Sequence, residues 1–396
     1  MKEKIITKNF ILVFLSTFSS AMVMYMLMAT ITEHAAAMGT TVMLAGLVSG
    51  IYVFGGLCSR LCSGNLMERL GWKRLAVCAL TLHLIACCGY FIANNITLLI
   101  IVRFVHGLGF GAAANSTMTI GMSILPKSRY AEAAGYFMMS TTLAVAFGPY
   151  LGGIVYDAFG ATGCFVMATL FSFFMLICMI FADVRHVDPG KKEKSSDENA
   201  PKGIHKLLEV KAFPVSLCIF LCGFGYVSLV SFYRLYAAET SLISEFSWFF
   251  LIYAAVLMVS RLFIGGIQDR FGANIICIPG IILQFIGLVA IALWPSMGTI
   301  ILCAACCALG YGTLTGAFNV IVCSETAPER RSFGVTTFWL CCDAGMGIGP
   351  SILGAAATAG GYTFMYLFAA ALTLIALPLY FTVYGRHHLR KRHLYL

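Results

Sequence analysis

Apolar runs of about 20 residues, separated by short polar clusters, follow one another along the whole chain. They fall at roughly 10–32, 42–63, 75–93, 97–122, 131–157 and 162–182, then at roughly 212–236, 247–266, 275–293, 298–320, 332–357 and 361–384. At ~1.5 Å rise per residue, each run is long enough as a helix to cross the ~30 Å hydrocarbon core of a bilayer. The pattern predicts twelve helical spans. The first run is longer than a signal-peptide core and lacks a convincing cleavage site, so a retained helix is expected there.

The pattern also repeats. A shift of 201 residues lays Tyr25 on Tyr226, and Tyr52, Ser59, Arg60, Gly64, Arg69 and Gly71 on Tyr253, Ser260, Arg261, Gly265, Arg270 and Gly272. Gly109 and Gly111 then meet Gly310 and Gly312, Arg129 meets Arg330, and Gly148, Pro149 and Gly153 meet Gly349, Pro350 and Gly354. One constant offset over that distance means two copies of one folding unit. The expected architecture is an all-α membrane protein of 12 transmembrane helices in two pseudo-symmetric six-helix halves. Residues 1–182 form the first half and 212–396 the second, ending in a basic tail. Between them 183–211 is a polar linker, too charged to enter the bilayer.

Composition agrees: 60% of residues are hydrophobic, 11% are charged, and the mean hydropathy is +0.89. A soluble domain carries about 25% charge. With the amino terminus placed in the cytoplasm, 22 of the 26 Lys and Arg residues fall in cytoplasmic segments. The positive-inside rule then predicts both termini cytoplasmic, in a bacterial cell (inner) membrane. The net charge of +9 reports this topology and contact with anionic lipid, and implies no nucleic-acid partner. The 16 cysteines lie mostly inside predicted spans and read as packing residues; no metal or redox role is assigned to them. Asn95-Ile96-Thr97 matches a glycosylation sequon in an outer turn of a few residues, and no role is assigned to it.

The turn after span 2 reads Gly64-Asn65-Leu66-Met67-Glu68-Arg69-Leu70-Gly71-Trp72-Lys73-Arg74, and that after span 8 reads Gly265-Gly266-Ile267-Gln268-Asp269-Arg270-Phe271-Gly272. Each sets a small residue where helices cross, then a carboxylate and an arginine at the membrane boundary, then a glycine for the turn. Both resemble the G-x-L-x-D-R-x-G-R-K signature of the major facilitator superfamily, with Trp72 replacing a usual basic residue. The resemblance covers essentially the whole chain. It implies a cytoplasmic gate at Gly64, Glu68, Arg69, Gly71, Gly265, Asp269, Arg270 and Gly272, closed in the outward-facing state.

Span 4 carries Arg103, then His106, Gly107, Gly109 and Gly111. An arginine so far into a span costs ~2.5–3.5 kcal/mol on insertion scales unless it faces a cavity or a partner, so it is expected to face the bundle interior. The spacing resembles the superfamily's R-x-x-x-G-x-G motif of proton-coupled members; an arginine held only for structure is the other reading. Span 5 carries Ala144 through Gly153, including Gly148-Pro149, and span 11 repeats it with Gly349, Pro350 and Gly354. This resembles G-x-x-x-G-P-x-x-G-G, which in the superfamily marks exporters of the drug:proton antiporter type. Proline and glycine there also fit a local packing kink.

Span 1 offers no mid-depth carboxylate, which departs from that subgroup. Asp343, about eleven residues into span 11, is the acid at mid-membrane depth, and so the candidate proton carrier beside Arg103; a structural acid is the alternative. Tyr25, Asn115, Tyr226, Asn319 and Trp339 are candidates for a substrate cavity suited to an amphipathic or cationic organic solute. Glu33 and Arg234, 201 residues apart at the outer ends of spans 1 and 7, are candidates for an extracellular gate. The expected function is proton-coupled efflux of a small organic solute by alternating access, with an importer or uniporter of the same fold as the nearest alternative and a non-transporting sensor as a remote one. No HExxH, G-x-S-x-G or ATP-binding loop is present to suggest an enzyme or direct ATP coupling. The expected partners are the solute, protons and lipid, with a proton gradient in place of a cofactor and the chain acting as a monomer.

Overall fold

The computed structural model describes residues 4–126, 130–184, 208–326 and 331–386. Two compact units emerge, Met1–Thr40 with Ile51–Asp197, and Thr41–Gly50 with Glu198–Leu396. The helices of the first half are α1 (Lys8–Ala37), α2 (Val42–Leu70), α3 (Trp72–Gly89), α4 (Ile96–Ser123) and α5 (Tyr130–Phe181), with a short 3-10 turn at Tyr90–Ile92. Those of the second are α6 (Phe213–Thr240), α7 (Ile243–Phe271), α8 (Asn274–Leu293), α9 (Met297–Cys307), α10 (Thr313–Glu325) and α11 (Arg331–Tyr380). The described residues hold no strand.

Local chemistry sets several helix starts. Thr7 Oγ1 accepts from the Phe10 amide at 3.2 Å, and Asn95 Oδ1 accepts from the Leu98 amide at 2.9 Å. Ser296 and Thr299 cap α9 reciprocally, so that two otherwise orphaned donors are satisfied together. Asn95 of the sequon is therefore a helix cap. Gly71 (φ 87°) and Gly272 (φ 85°) turn the chain after α2 and α7 in a backbone conformation that a Cβ would oppose. They lie at equivalent positions of the repeat.

α5 and α11 are each too long to be one crossing. The apolar stretch Tyr136–Phe181 has 46 residues, ~69 Å as a straight helix and more than twice the hydrocarbon thickness. In α5 the backbone departs from helical values at Gly160 (φ 64°), and Cys164 Sγ returns to within 3.6 Å of the Gly152 carbonyl. Twelve helical residues would separate those groups by ~18 Å, so the chain reverses at Gly160. In α11 the break is at Gly361 (φ 78°), the repeat equivalent. Along α6 the neighbours on the first limb of α11 ascend, with Gly345 by Phe220 and Gly349 by Val227. On the second limb they descend, with Thr373 by Gly225 and Tyr366 by Tyr236. Counting these limbs separately, and α9 with α10 as one broken span, gives twelve crossings in two six-helix halves.

In the first unit α1 packs along α5, and α3 lies between α4 and α5. Val13, Leu80, Phe137 and Met175 close its core. In the second unit α6 packs along α11, and α8 lies against α9 and α11. The α1–α5 and α6–α11 pairs are equivalent under the repeat. The second unit also takes in the start of α2, where Ser49 Oγ is 3.2 Å from Ser231 Oγ.

Candidate functional site

Arg103 lies two turns into α4 with no solvent exposure. Its Nη1 donates to the Tyr90 hydroxyl at 3.3 Å, and its guanidinium sits 4.4 Å above the Tyr52 ring. The Tyr90 hydroxyl is 2.7 Å from His106 Nδ1, and His106 Nε2 is 2.9 Å from His83 Nε2. His83 Nδ1 is 3.1 Å from Ser172 Oγ, whose hydroxyl donates to the Ala168 carbonyl at 2.7 Å. Cys87 Sγ closes the cluster, 3.1 Å from Ser172 Oγ and 3.4 Å from His106 Nε2.

One proton arrangement satisfies this chain throughout. Arg103 donates to Tyr90, Tyr90 to His106 Nδ1, His106 Nε2–H to His83 Nε2, His83 Nδ1–H to Ser172, and Ser172 to a backbone carbonyl. Both imidazoles are then neutral, and the Arg103 guanidinium lies over the Tyr52 face. The glycines of α4 make the assembly possible. A Cβ on Gly107 would overlap the Tyr52 carbonyl oxygen, and one on Gly109 would come within 2.7 Å of the His83 amide nitrogen. α4 therefore lies directly on α2 and α3, and the side chains of the three helices interleave.

The sequence placed Arg103 in the interior and noted His106, but it gave no role to Tyr52, His83, Cys87, Tyr90 or Ser172. The available signal was His83 and Cys87 one turn apart on one helix face, with His106 one turn after Arg103.

The second unit carries an aromatic group at the equivalent depth. Tyr226 stacks on Tyr311 with centroids 4.6 Å apart and tilts against Tyr253 at 5.5 Å. Tyr226 is only 2% exposed, so it is a wall of this cluster and presents no free face to solvent. Tyr311 Oη is 4.0 Å from Cys342 Sγ, beside Asp343 in sequence. Asp343 and Trp339 are both partly buried on α11, and Trp339 stands edge-on to Phe338 at 5.4 Å. Asn319 is partly buried on α10 and accepts from Cys323 Sγ at 3.6 Å.

In the first unit Asn115 Nδ2 donates to Ser63 Oγ at 2.6 Å, joining α4 to α2. Tyr25 is partly buried, and a Cβ on Gly148 would lie 2.7 Å from Tyr25 Cβ. Gly148 and Gly349 thus set the close approach of α5 to α1 and of α11 to α6. The bending expected at Pro149 and Pro350 is not where the backbone leaves helical values: both prolines lie inside continuous helix, and the breaks fall at Gly160 and Gly361. Gly153 is buried beside Pro149, and a Cβ on Gly354 would lie 2.6 Å from the Val42 carbonyl oxygen.

At the turns, Gly64, Arg69 and Arg270 are exposed, and the Arg270 guanidinium is 5.7 Å from the Phe271 ring. The side chain of Glu68 lies outside the described residues, as do Asp269 and Gly265 beyond their helical backbone. The residue two places after each turn glycine has a definite partner. Lys73 Nζ donates to the Ile180 and Ala182 carbonyls at 2.9 and 2.6 Å, at the end of α5. Asn274, its equivalent, donates from Nδ2 to the Gly385 carbonyl at 3.1 Å and accepts from the Tyr380 hydroxyl at 2.7 Å. Each turn thus caps the last helix of its own half. Glu33 is partly buried near the end of α1, and Arg234 is buried to 5% exposure on α6.

Twelve spans in two repeated halves, with an arginine buried in one of them, define a multi-pass membrane transporter. The sequence profile of the Major Facilitator Superfamily matches residues 13–342, and matches again over 215–394. The chain belongs to that superfamily. The second match starts 202 residues after the first, in agreement with the internal repeat. An uncharacterized MFS-type transporter of Methanocaldococcus jannaschii is 22% identical over 93% of this chain and 96% of its own length. A multi-drug resistance efflux pump PmrA homolog of Lactococcus lactis is 25% identical over 83% of this chain and 82% of its own. Among solved structures, a POT family transporter in complex with 5-aminolevulinic acid superposes with a TM-score of 0.79 at 14% identity, covering 95% of this chain and 96% of that one.

Proposed function

We propose that the protein exports a small amphipathic or cationic organic solute by alternating access, driven by inward proton flow. The observation that carries the reading is Asp343. Among the described residues every other carboxylate in a helix lies near a helix end or beside the Gly160 reversal, whereas Asp343 is twelve residues, ~18 Å, from the start of α11 and only partly buried. An acid at that depth that water still reaches can take a proton from one side and release it to the other. Arg103 supplies a fixed buried charge in the other half. Trp339, partly buried one turn before Asp343 on α11, supplies an aromatic face for a cationic or flat organic molecule. Export is supported by the span 5 and span 11 motifs and by the likeness to the Lactococcus lactis efflux pump homolog. The basic residues favour a cell membrane orientation with both termini cytoplasmic.

The test is transport in proteoliposomes under an imposed pH gradient, across a panel of cationic, neutral and anionic solutes. The reading expects uphill movement of cationic or amphipathic solutes against inward proton flow. Movement with the proton, or movement indifferent to the gradient, would replace it by symport or uniport.

A further inference from the structure

The cluster beneath Arg103 contains three metal-ligating side chains. His83, Cys87 and His106 are fully buried, and one donor atom from each lies within 4.8 Å of the others. His83 and Cys87 stand one turn apart on α3, the spacing that sets two ligands on one helix face, and His106 meets them from α4. We propose that these three side chains form a binding site for a monovalent soft metal ion, Cu(I).

The donor set selects the metal class. A thiolate and two imidazoles suit copper or zinc, whereas magnesium and calcium need oxygen ligands. Coordination number then separates the two. Zinc is almost always held by four ligands, whereas the cluster offers three, His83, Cys87 and His106, the number a trigonal Cu(I) ion takes. When Cu(I) enters and the Cys87 thiol proton leaves to the solvent, the net charge of the pocket is unchanged.

The geometry needs little change. With metal–nitrogen distances of about 2.0 Å and metal–sulfur of about 2.3 Å, a trigonal site has N···N near ~3.5 Å and N···S near ~3.7 Å. The existing separations are 2.9 Å between the two Nε2 atoms, 3.4 Å from Cys87 Sγ to His106 Nε2 and 3.8 Å from Cys87 Sγ to His83 Nδ1. Parting the two rings by ~0.6 Å and turning His83 so that Nε2 meets Cys87, both within reach of side-chain torsions, open the site. The other ring nitrogens already have partners of the kind that orient metal-bound imidazoles, Ser172 for His83 Nδ1 and Tyr90 for His106 Nδ1. On binding, His106 takes the Nδ1–H tautomer with the Tyr90 oxygen beside it, which frees Nε2 for the metal.

The site goes beyond the transport reading and is tested without a transported solute. Purified, reduced full-length protein in detergent is titrated anaerobically with Cu(I) buffered by a colorimetric chelator, and the loaded protein is examined by X-ray absorption. The expected result is one tightly retained equivalent, with a spectrum of one sulfur and two imidazole nitrogens. Cys87→Ser and His83→Gln should each weaken retention at least ~10-fold, in line with loss of a ligand or its orientation, while Cys303→Ser with Cys307→Ser leaves it unchanged. That double variant matters because Cys303 and Cys307 form a second thiol pair, with sulfurs 3.9 Å apart. The wild-type spectrum stands even if a variant fails to fold. No retained equivalent, a spectrum of sulfur only, or binding lost with Cys303 and Cys307 in place of Cys87 would overturn the proposal.

Discussion

Span 4 and its counterpart 201 residues later carry glycines in the same register, yet one is straight and the other is broken. α4 runs unbroken from Ile96 to Ser123, while the counterpart stops at Cys307, passes through a wide turn at Ala308–Gly312, and resumes at Thr313. Gly310 within that turn has ψ −106°, outside the helical range. The sequences differ at the first glycine: Gly107 is matched by Ala308. Gly107 rests on the Tyr52 carbonyl with no room for a Cβ, and the widened turn begins at the alanine in the equivalent place. The halves then diverge in chemistry. Arg103, His106 and His83 of the first half are matched by Ala304, Cys307 and Gln284 of the second. A scaffold duplicated as a whole has thus kept its turns and helix contacts, and concentrated a buried cation and its hydrogen-bonded chain in one copy.

The largest effect expected from this comparison is at Gly107. Gly107→Val should destabilise the protein by ~3 kcal/mol or more, since the clash is with backbone, whereas Ala308→Gly should change stability by under ~1 kcal/mol. Thermal unfolding in detergent checks both; tolerance of valine at 107 would remove the explanation for the straight helix. Next comes the paired position 83 and 284. His83→Met leaves the His106 donor without its acceptor and should cost ~1–3 kcal/mol. Gln284 donates to the Cys222 carbonyl at 2.8 Å, but its Oε1 has no hydrogen-bond partner among the described residues. Gln284→Met should therefore be near neutral, and equal losses at both sites would contradict the asymmetry. The smallest effect concerns the caps. Lys73→Ala and Asn274→Ala should each cost about 1 kcal/mol by leaving helix-end carbonyls unpaired, read as faster hydrogen exchange at the ends of α5 and α11.

Legibility in the sequence followed the physics of each feature. Spans and the repeat were visible because length and offset are linear properties, and Gly71 and Gly272 because a turn of that conformation demands glycine. The reversals at Gly160 and Gly361 had been expected as gaps of a few residues, because nothing local says that one glycine suffices. Arg103 betrayed itself by the cost of its charge in a span. Its partners did not, since Tyr52, His83, Tyr90 and Ser172 come from different elements and meet only after α3, α4 and α5 pack. The thiol of Cys87 was read as packing for the same reason. The break in span 10 was hidden because the two spans share their later glycines and differ at the first only by alanine for glycine.

The account's central claim is that the second half, through Asp343, carries the coupling proton while the first half holds a fixed buried charge. The direct measurement is transport by Asp343→Asn in proteoliposomes, with and without a pH gradient. The account predicts loss of uphill, gradient-driven transport with downhill exchange still measurable. Undiminished uphill transport in that variant would contradict it.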